Sequence, residues 1–281
     1  MLNFLAASLP SDFFGRIGYI LQNYGTSMLK GAGTTLIIAI IGTFIGCIIG
    51  FIVGIVVTIP VGPHDSVFKK VILKIVKIIL KIYVEVFRGT PMMVQAMFIY
   101  YGAMLLFNIN MGWWTAAFFI VSINTGAYMA ETVRGGFLSV PIGQTEGAKA
   151  IGMTHFQTMI NVIMPQALRN IMPQIGNNLI INIKDTCVLS CIGVVELFFT
   201  SKSVAGTYYT YFEVFTVTMV MYLIMTLFFS YLLRFIERKM DGPKNYQMVD
   251  EPKSGYDIKT TDTLAYTSGT LTDPRKLEGE K

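Results

Sequence analysis

The sequence predicts an all-α membrane protein with five transmembrane helices, its N-terminus outside the cell and its C-terminus in the cytoplasm. Three observations carry this. Of 281 residues, 53% are hydrophobic and only 14% charged, with a mean hydropathy of +0.57, whereas soluble domains carry about 25% charged residues. The apolar residues fall in long uncharged blocks of the length a bilayer requires, about 20 residues. The basic residues gather in alternate connections between those blocks, as the positive-inside rule requires. This composition excludes a disordered chain, a nucleic-acid-binding module and most soluble enzymes. The net charge of +5 is accounted for by basic loops held on the cytoplasmic side.

The first span is expected over Gly31 to Ile59, which is free of charge between Lys30 and Asp65. Residues 1–26 form an extracytoplasmic segment before the membrane domain of 27–240. No cleaved signal peptide is expected, since no basic segment precedes a short apolar core and a cleavage site. Within the first span Gly42, Gly46, Gly50 and Gly54 recur every four residues. They form one smooth helix face that a neighbouring backbone can approach closely. Lys70, Lys74, Lys77 and Lys81 then share one face of an amphipathic helix, continued by Glu85 and Arg88, which is expected to lie along the membrane surface. Arg88 reads as a structural pin with Glu85 in preference to a ligand. Gly89-Thr90-Pro91 follows, where Pro91 removes a backbone donor and bends the helix. The second span covers Pro91 to Phe107, beginning a turn or two earlier, and the third covers Trp113 to Val133. The fourth covers Ala167 to Ile183. Cys187 to Phe199 is too short to cross and reads as re-entrant or buried in protein. The fifth span covers Val214 to Leu233. From 241 to 281 the composition turns to Gly, Pro, Ser, Thr, Asp and Lys, and a disordered cytoplasmic tail is expected.

Three cysteines are too few and too odd in number for a disulfide framework. The two histidines, His64 and His155, lie in separate loops, so no metal site is expected.

Pro141 to Pro165 is more elaborate than a connector requires. Gly143 to Ile151 reads as a short helix, Gly152 as its left-handed terminator, and Thr154 with Gln157 as a capping box opening a second helix. The product is a helix–glycine–helix knob on the cytoplasmic face. Its residues Glu146-Gly147-Ala148, then Gly152, then Val162-Ile163-Met164-Pro165 resemble the coupling (EAA) signature of permease subunits of ABC importers. Phe87-Arg88-Gly89-Thr90-Pro91, Asn124 to Glu131, Arg134-Gly135-Gly136, Pro165 to Arg169 and Lys184-Asp185-Thr186 are similar to the polar-amino-acid branch, the glutamine/histidine/arginine-type permeases. The resemblance covers roughly residues 25 to 240. Gly147 stands where that family usually has alanine, and Cys187 where serine is common.

The resemblance implies a type I ABC importer (MetI-like) permease fold, multi-pass in the cytoplasmic membrane of a prokaryote, with coupling helices at about 139–164. It implies a non-enzymatic translocating subunit with no cofactor of its own. ATP and magnesium belong to a partner ATPase dimer, and the chain has no G-x-x-x-x-G-K-[ST] loop with which to hold them. A second permease subunit, identical or related, and an extracytoplasmic amino-acid-binding protein complete the set; no nucleic acid is involved. The resemblance places ATPase coupling on Glu146, Gly147, Ala148, Gly152, His155 and Pro165. The polar residues of the spans are the candidates for the substrate pathway. Asn124 and Asn178 serve either as helix–helix hydrogen bonds or as substrate contacts. Glu131 is either an ion-pair partner of Arg134 or a pathway residue. Lys184 and Asp185 either touch substrate or brace an outer gate. The competing function is a channel or secondary carrier that needs no ATPase; a membrane enzyme lacks any acid–base or metal constellation.

Overall fold

The computed structural model describes residues 9–59 and 66–241; His64 and the expected tail beyond Asp241 lie outside the described residues. Every regular element among the described residues is helical. Helix α1 spans Phe13–Thr58, α2 Val67–Gly89, α3 Met92–Phe107 and α4 Trp113–Leu138. The short α5 (Ile142–Ala150) and α6 (His155–Thr158) follow. A π turn (Met159–Ile163) joins α6 to α7 (Met164–Asp185), and a 3₁₀ segment (Thr186–Ile192) leads to α8 (Leu197–Tyr208) and α9 (Tyr211–Asp241). By length and composition, α1 and Tyr211–Lys239 of α9 are long and apolar enough to cross a membrane. The arm His155–Ile192 and α8, bent by 55°, add a third span if they are one.

Helix α1 extends beyond the expected first span at its N-terminal end: one helix of 46 residues starts at Phe13. At 1.5 Å per residue it is about 69 Å long, twice the roughly 30 Å hydrocarbon thickness. Arg16 and Lys30 interrupt the apolar run but not the helix, since no proline lies between Phe13 and Thr58. Asp12 starts it by accepting a hydrogen bond from the Gly15 N–H at 2.7 Å, as an N-cap should. The first turns are tied to the far end of the chain: Arg16 Nη1 pairs with Glu213 Oε1 at 2.9 Å, and the Tyr24 and Tyr208 hydroxyls meet at 2.7 Å. Ile20 and Met28 are fully buried there.

The glycine face of α1 packs on α4. A methyl group placed on Gly46 would lie 2.6 Å from Thr125 Cβ, and one on Gly54 2.6 Å from Val133 Cγ1. On Gly50 it would lie 2.8 Å from the backbone carbon of Met129, and on Gly42 2.5 Å from Val121 Cγ1. Only hydrogen fits at this seam, so the two backbones run in close contact.

Toward its C-terminal end, helix α2 packs against α1 and α4. Tyr83 donates a hydrogen bond from its hydroxyl to the Ile123 carbonyl at 2.6 Å, level with the middle of α4. Val84 is buried with Val53 and Ala130. Lys77 and Lys81 line a cavity with residues of α1 and α4, while Ile75, Ile79 and Ile82 are exposed. The helix then stops. Thr90 and Pro91 are extended and α3 begins at Met92, because Pro91 disfavours helical backbone in the residue before it.

The segment expected to be re-entrant or buried in protein is buried in part: Leu189, Val194, Glu196 and Leu197 have no exposed surface, while Val195 exposes 49% of its own. Gly193, at φ 84°, ends the 3₁₀ turn. Pro165 is the second residue of α7. It sits inside a continuous arm, just past the π turn that widens the ladder so that Met164 N bonds Met159 O. That spacing accommodates a ring that otherwise collides with the preceding turn.

Candidate functional site

The knob forms as its sequence requires. Gly152 adopts φ 81°; its N–H bonds the Lys149 carbonyl at 2.9 Å, and the Met153 N–H bonds the Ala148 carbonyl at 3.1 Å. This pair of bonds is a Schellman motif, satisfying carbonyls that α5 would otherwise leave open. Thr154 N donates to Gln157 Oε1 at 2.9 Å and Gln157 N to Thr154 Oγ1 at 3.3 Å, a complete capping box. Glu146, Gly147, Gly152 and His155 are exposed, and Ala148 is buried. Ile142, Ile151 and Phe156 expose 75%, 79% and 72% of their surface, a large apolar display for so short a hairpin. His155 also lines a cavity of about 150 Å³ with Ile55, Phe137 and Met164.

The knob is clipped to α7. Gln166 Nε2 donates to Gln144 Oε1 at 3.3 Å, and Asn170 Nδ2 to Ser139 Oγ at 2.8 Å. Pro165 lies between these clips and the π turn. These bonds join the knob to the helix that carries Asn178, Lys184 and Asp185.

Two cavities lie along α4. One, of about 280 Å³, brings together Asn124, Asn178 and Asp185 with Pro91, Thr125, Tyr128 and Asn182. The other, of about 400 Å³, lies between α1, α2 and α4 and is lined by Lys77, Lys81, Glu85, Arg88, Glu131 and Arg134, among others. Glu131 thus belongs to a different compartment from Asn124 and Asn178. Lys184 is exposed and lines neither cavity.

Most of these side chains already have partners. Asn124 Nδ2 donates to Gln95 Oε1 at 2.8 Å and to the Phe87 carbonyl at 3.3 Å. Gln95 Nε2 donates to the Phe87 carbonyl at 2.9 Å and the Thr90 carbonyl at 2.8 Å. The amide of Asn124 therefore clamps the break at Pro91, satisfying carbonyls that the interrupted helix frees. Asn178 Nδ2 donates to the Gln174 carbonyl at 3.0 Å. Glu131 forms an ion pair with Arg134, with Arg134 Nε 3.1 Å from Oε2. Arg88 is not pinned by Glu85: its guanidinium sits 5.7 Å from the centroid of the Tyr128 ring. On a helix, residues three apart are neighbours, but Arg88 lies against α4 instead.

Sequence reasoning missed two buried constellations. Asn182 Nδ2 donates to Thr43 Oγ1 at 2.7 Å and Thr125 Oγ1 at 2.9 Å, joining α7 to the α1–α4 seam. Glu196, fully buried, accepts from the N–H groups of Phe198 and Phe199 at 2.8 and 2.6 Å, from Tyr222 at 3.0 Å and from Thr35 at 3.3 Å. It caps α8 and ties the broken segment to α1 and α9. A carboxylate removed from water in this way is tolerated because its acceptor positions are filled.

Comparison with known proteins agrees with this arrangement. Residues 67–242 match the family described as binding-protein-dependent transport system inner membrane component. The chain is 42% identical over 159 residues to the glutamine transport system permease protein GlnP of Escherichia coli K12, covering 56% of this chain and 73% of that one. It is 38% identical over 163 residues to the probable amino-acid permease protein YxeN of Bacillus subtilis 168, covering 57% and 73%. Among solved structures, an amino acid ABC transporter crystallised with histidines superposes with a TM-score of 0.71 at 33% identity, over 82% of this chain and 100% of that one. An inward-facing MetNI methionine ABC transporter gives 0.60 at 20% identity, over 76% and 95%, which speaks to the fold alone. The glycine seam, the π-turned arm and the capped knob are thus the parts of a permease, and the chain belongs to the family of binding-protein-dependent transport system inner membrane components.

Proposed function

We propose that this chain is the membrane-spanning permease subunit of an ATP-driven importer of polar amino acids, passing substrate from an extracytoplasmic binding protein to the cytoplasm by alternating access. The observation that carries this is the single continuous helical arm. It has the exposed knob at one end and Asn178 and Asp185, lining a polar cavity, at the other. Closure of an ATPase dimer on Glu146, Gly147, Ile151 and Phe156 would push that arm and change access to the cavity. ATP and magnesium are held by the ATPase, and a second permease subunit, identical or related, closes the open side of both cavities. Glutamine is the leading cargo, since GlnP of Escherichia coli carries that name at 42% identity.

Five crossings with the N-terminus out fit the loop charges. In this reading α2 and α3 together make the second crossing, broken at Pro91, with the lysine-rich face of α2 turned to the aqueous cavity and its isoleucines to lipid. The protein resides in the cytoplasmic membrane of a prokaryote. Topology is testable by single cysteines in a background lacking Cys47, Cys187 and Cys191. Cysteine at Asn110 should react with an impermeant reagent in intact cells, and cysteines at Ser66 and Asp250 should not. Ready labelling at Asp250 would require an even number of crossings. Recovery of an ATPase with the purified chain tests the functional reading; uptake that continues after deletion of that ATPase would favour an independent channel or carrier.

A further inference from the structure

The first half of α2 carries no buried side chain; Val84, in the second half, is the one buried residue of this helix. Val67 and Phe68 expose 78% and 77% of their surface, and Val71, Ile75 and Ile78 about half. Spaced three or four apart, Val67, Val71, Ile75 and Ile78 make one apolar stripe. Lys70, Lys74, Lys77 and Lys81 make a basic stripe beside it. Five lysines and no acid fall between Ser66 and Val84. Lys77 sets the level of this surface, because its Nζ donates to the carbonyl of Ile59 at 2.6 Å, and Ile59 is the C-cap of α1. A cation there also suits the negative end of the helix dipole. Val67 begins the helix ten residues before Lys77, at most about 15 Å away along the axis. Lys77 and Lys81 line the charged cavity, whereas Lys70 and Lys74 are not among its lining residues. Water disfavours the exposed apolar stripe and hydrocarbon disfavours the basic one; the boundary between acyl chains and anionic headgroups satisfies both.

We propose that the first turns of α2 form a binding surface for anionic phospholipid in the cytoplasmic leaflet. Headgroup phosphates sit on Lys70 and Lys74, and acyl chains lie along Val67, Val71 and Ile75. Lys77 stays on Ile59 and so fixes the surface to the inner end of α1. Charge selects the occupant: a run of lysines without an acid attracts anionic headgroups and gains nothing from zwitterionic ones. The proposal goes beyond the importer reading and takes from it only the orientation that puts the start of α2 on the cytoplasmic side.

The test places a fluorescent reporter on this surface in the full chain. Val71→Trp is made together with Trp113→Phe and Trp114→Phe, which removes the two native tryptophans. The protein is reconstituted in bilayers of phosphatidylcholine mixed with brominated phosphatidylglycerol or brominated phosphatidylcholine, and quenching of the reporter gives the relative affinity of the two lipids. Phosphatidylglycerol should be preferred about fivefold or more at low salt. Lys70→Gln with Lys74→Gln should bring the two lipids within about twofold of each other. Arg238→Gln with Lys239→Gln, a basic pair in the last turn of α9, should leave the preference unchanged. Equal affinity for the two lipids with all lysines present would overturn the proposal, as would a double lysine variant that keeps the preference. If the double lysine variant cannot be purified, salt decides: the preference should fall at least about twofold between about 0.05 and 0.5 M, and a constant preference would overturn the proposal. A double lysine variant that keeps the lipid preference but loses the ATPase on co-purification would assign the stripe to the ATPase instead. Labelling of a cysteine at Ser66 from outside intact cells would overturn the orientation and with it the leaflet; equal lipid affinity with the orientation intact sinks this proposal alone.

Discussion

Gly50→Val is expected to lower the thermal midpoint of the purified protein and its level in the membrane, while Gly33→Val is expected to do neither. The added Cβ at Gly50 meets both the Met129 side chain and the Met129 backbone carbon at 2.8 Å. A flexible side chain can swing aside, but a backbone cannot, so α1 and α4 must separate. Overpacking of this kind costs about 3 kcal/mol, or roughly 6–12 °C in midpoint for a domain of this size. Gly33 lies on the same helix with nothing within 4 Å of its Cβ position, so its change should stay within about 0.5 kcal/mol. The pair separates the packing role of this face from any general intolerance of α1 to substitution. Equal midpoints for the two variants would mean that the seam does not hold the helices together.

Gly152→Pro is expected to abolish ATP-dependent uptake while leaving membrane insertion intact. Proline holds φ near −65° where the structure has 81°, and it removes the N–H that bonds Lys149. The Schellman turn then cannot close, and α5 and α6 lose their fixed angle. Gly152→Asn provides the control, because asparagine enters the left-handed region more readily than other side chains. It should retain most of the uptake. The readouts are uptake into proteoliposomes and recovery of the ATPase with the permease. Normal uptake by the proline variant would remove the coupling role from the knob.

The knob was legible in the sequence because its signals are local. Gly152, Thr154 and Gln157 are each read within one turn of the bond they make. The glycine face of α1 was legible for the same reason, although its partner helix was not. The orientation of α2 could not be read this way. Periodicity shows that Lys70, Lys74, Lys77 and Lys81 share a face, but lipid and an aqueous cavity exchange the roles of inside and outside. The packing of Tyr83 on Ile123 is what decides it. Glu196 was a lone acid in an apolar run. Its partners Thr35 and Tyr222 lie in distant segments, and no spacing rule connects them. Asn124 illustrates a middle case: a helix–helix hydrogen bond was one of its two readings, and its bonds to Gln95 and Phe87 could be located only in three dimensions. The full extent of α1 was hidden by Arg16 and Lys30, which end a hydropathy run without ending a helix.

The central claim is that this chain moves an amino acid only when an ATPase drives its knob. The most direct measurement is uptake of labelled glutamine by proteoliposomes containing the permease complex, with loaded binding protein outside and ATP within. Uptake should require the ATPase, ATP and the binding protein together, and should vanish when any one is left out. Uptake that persists without the ATPase, at a rate comparable to the complete system, would contradict the account.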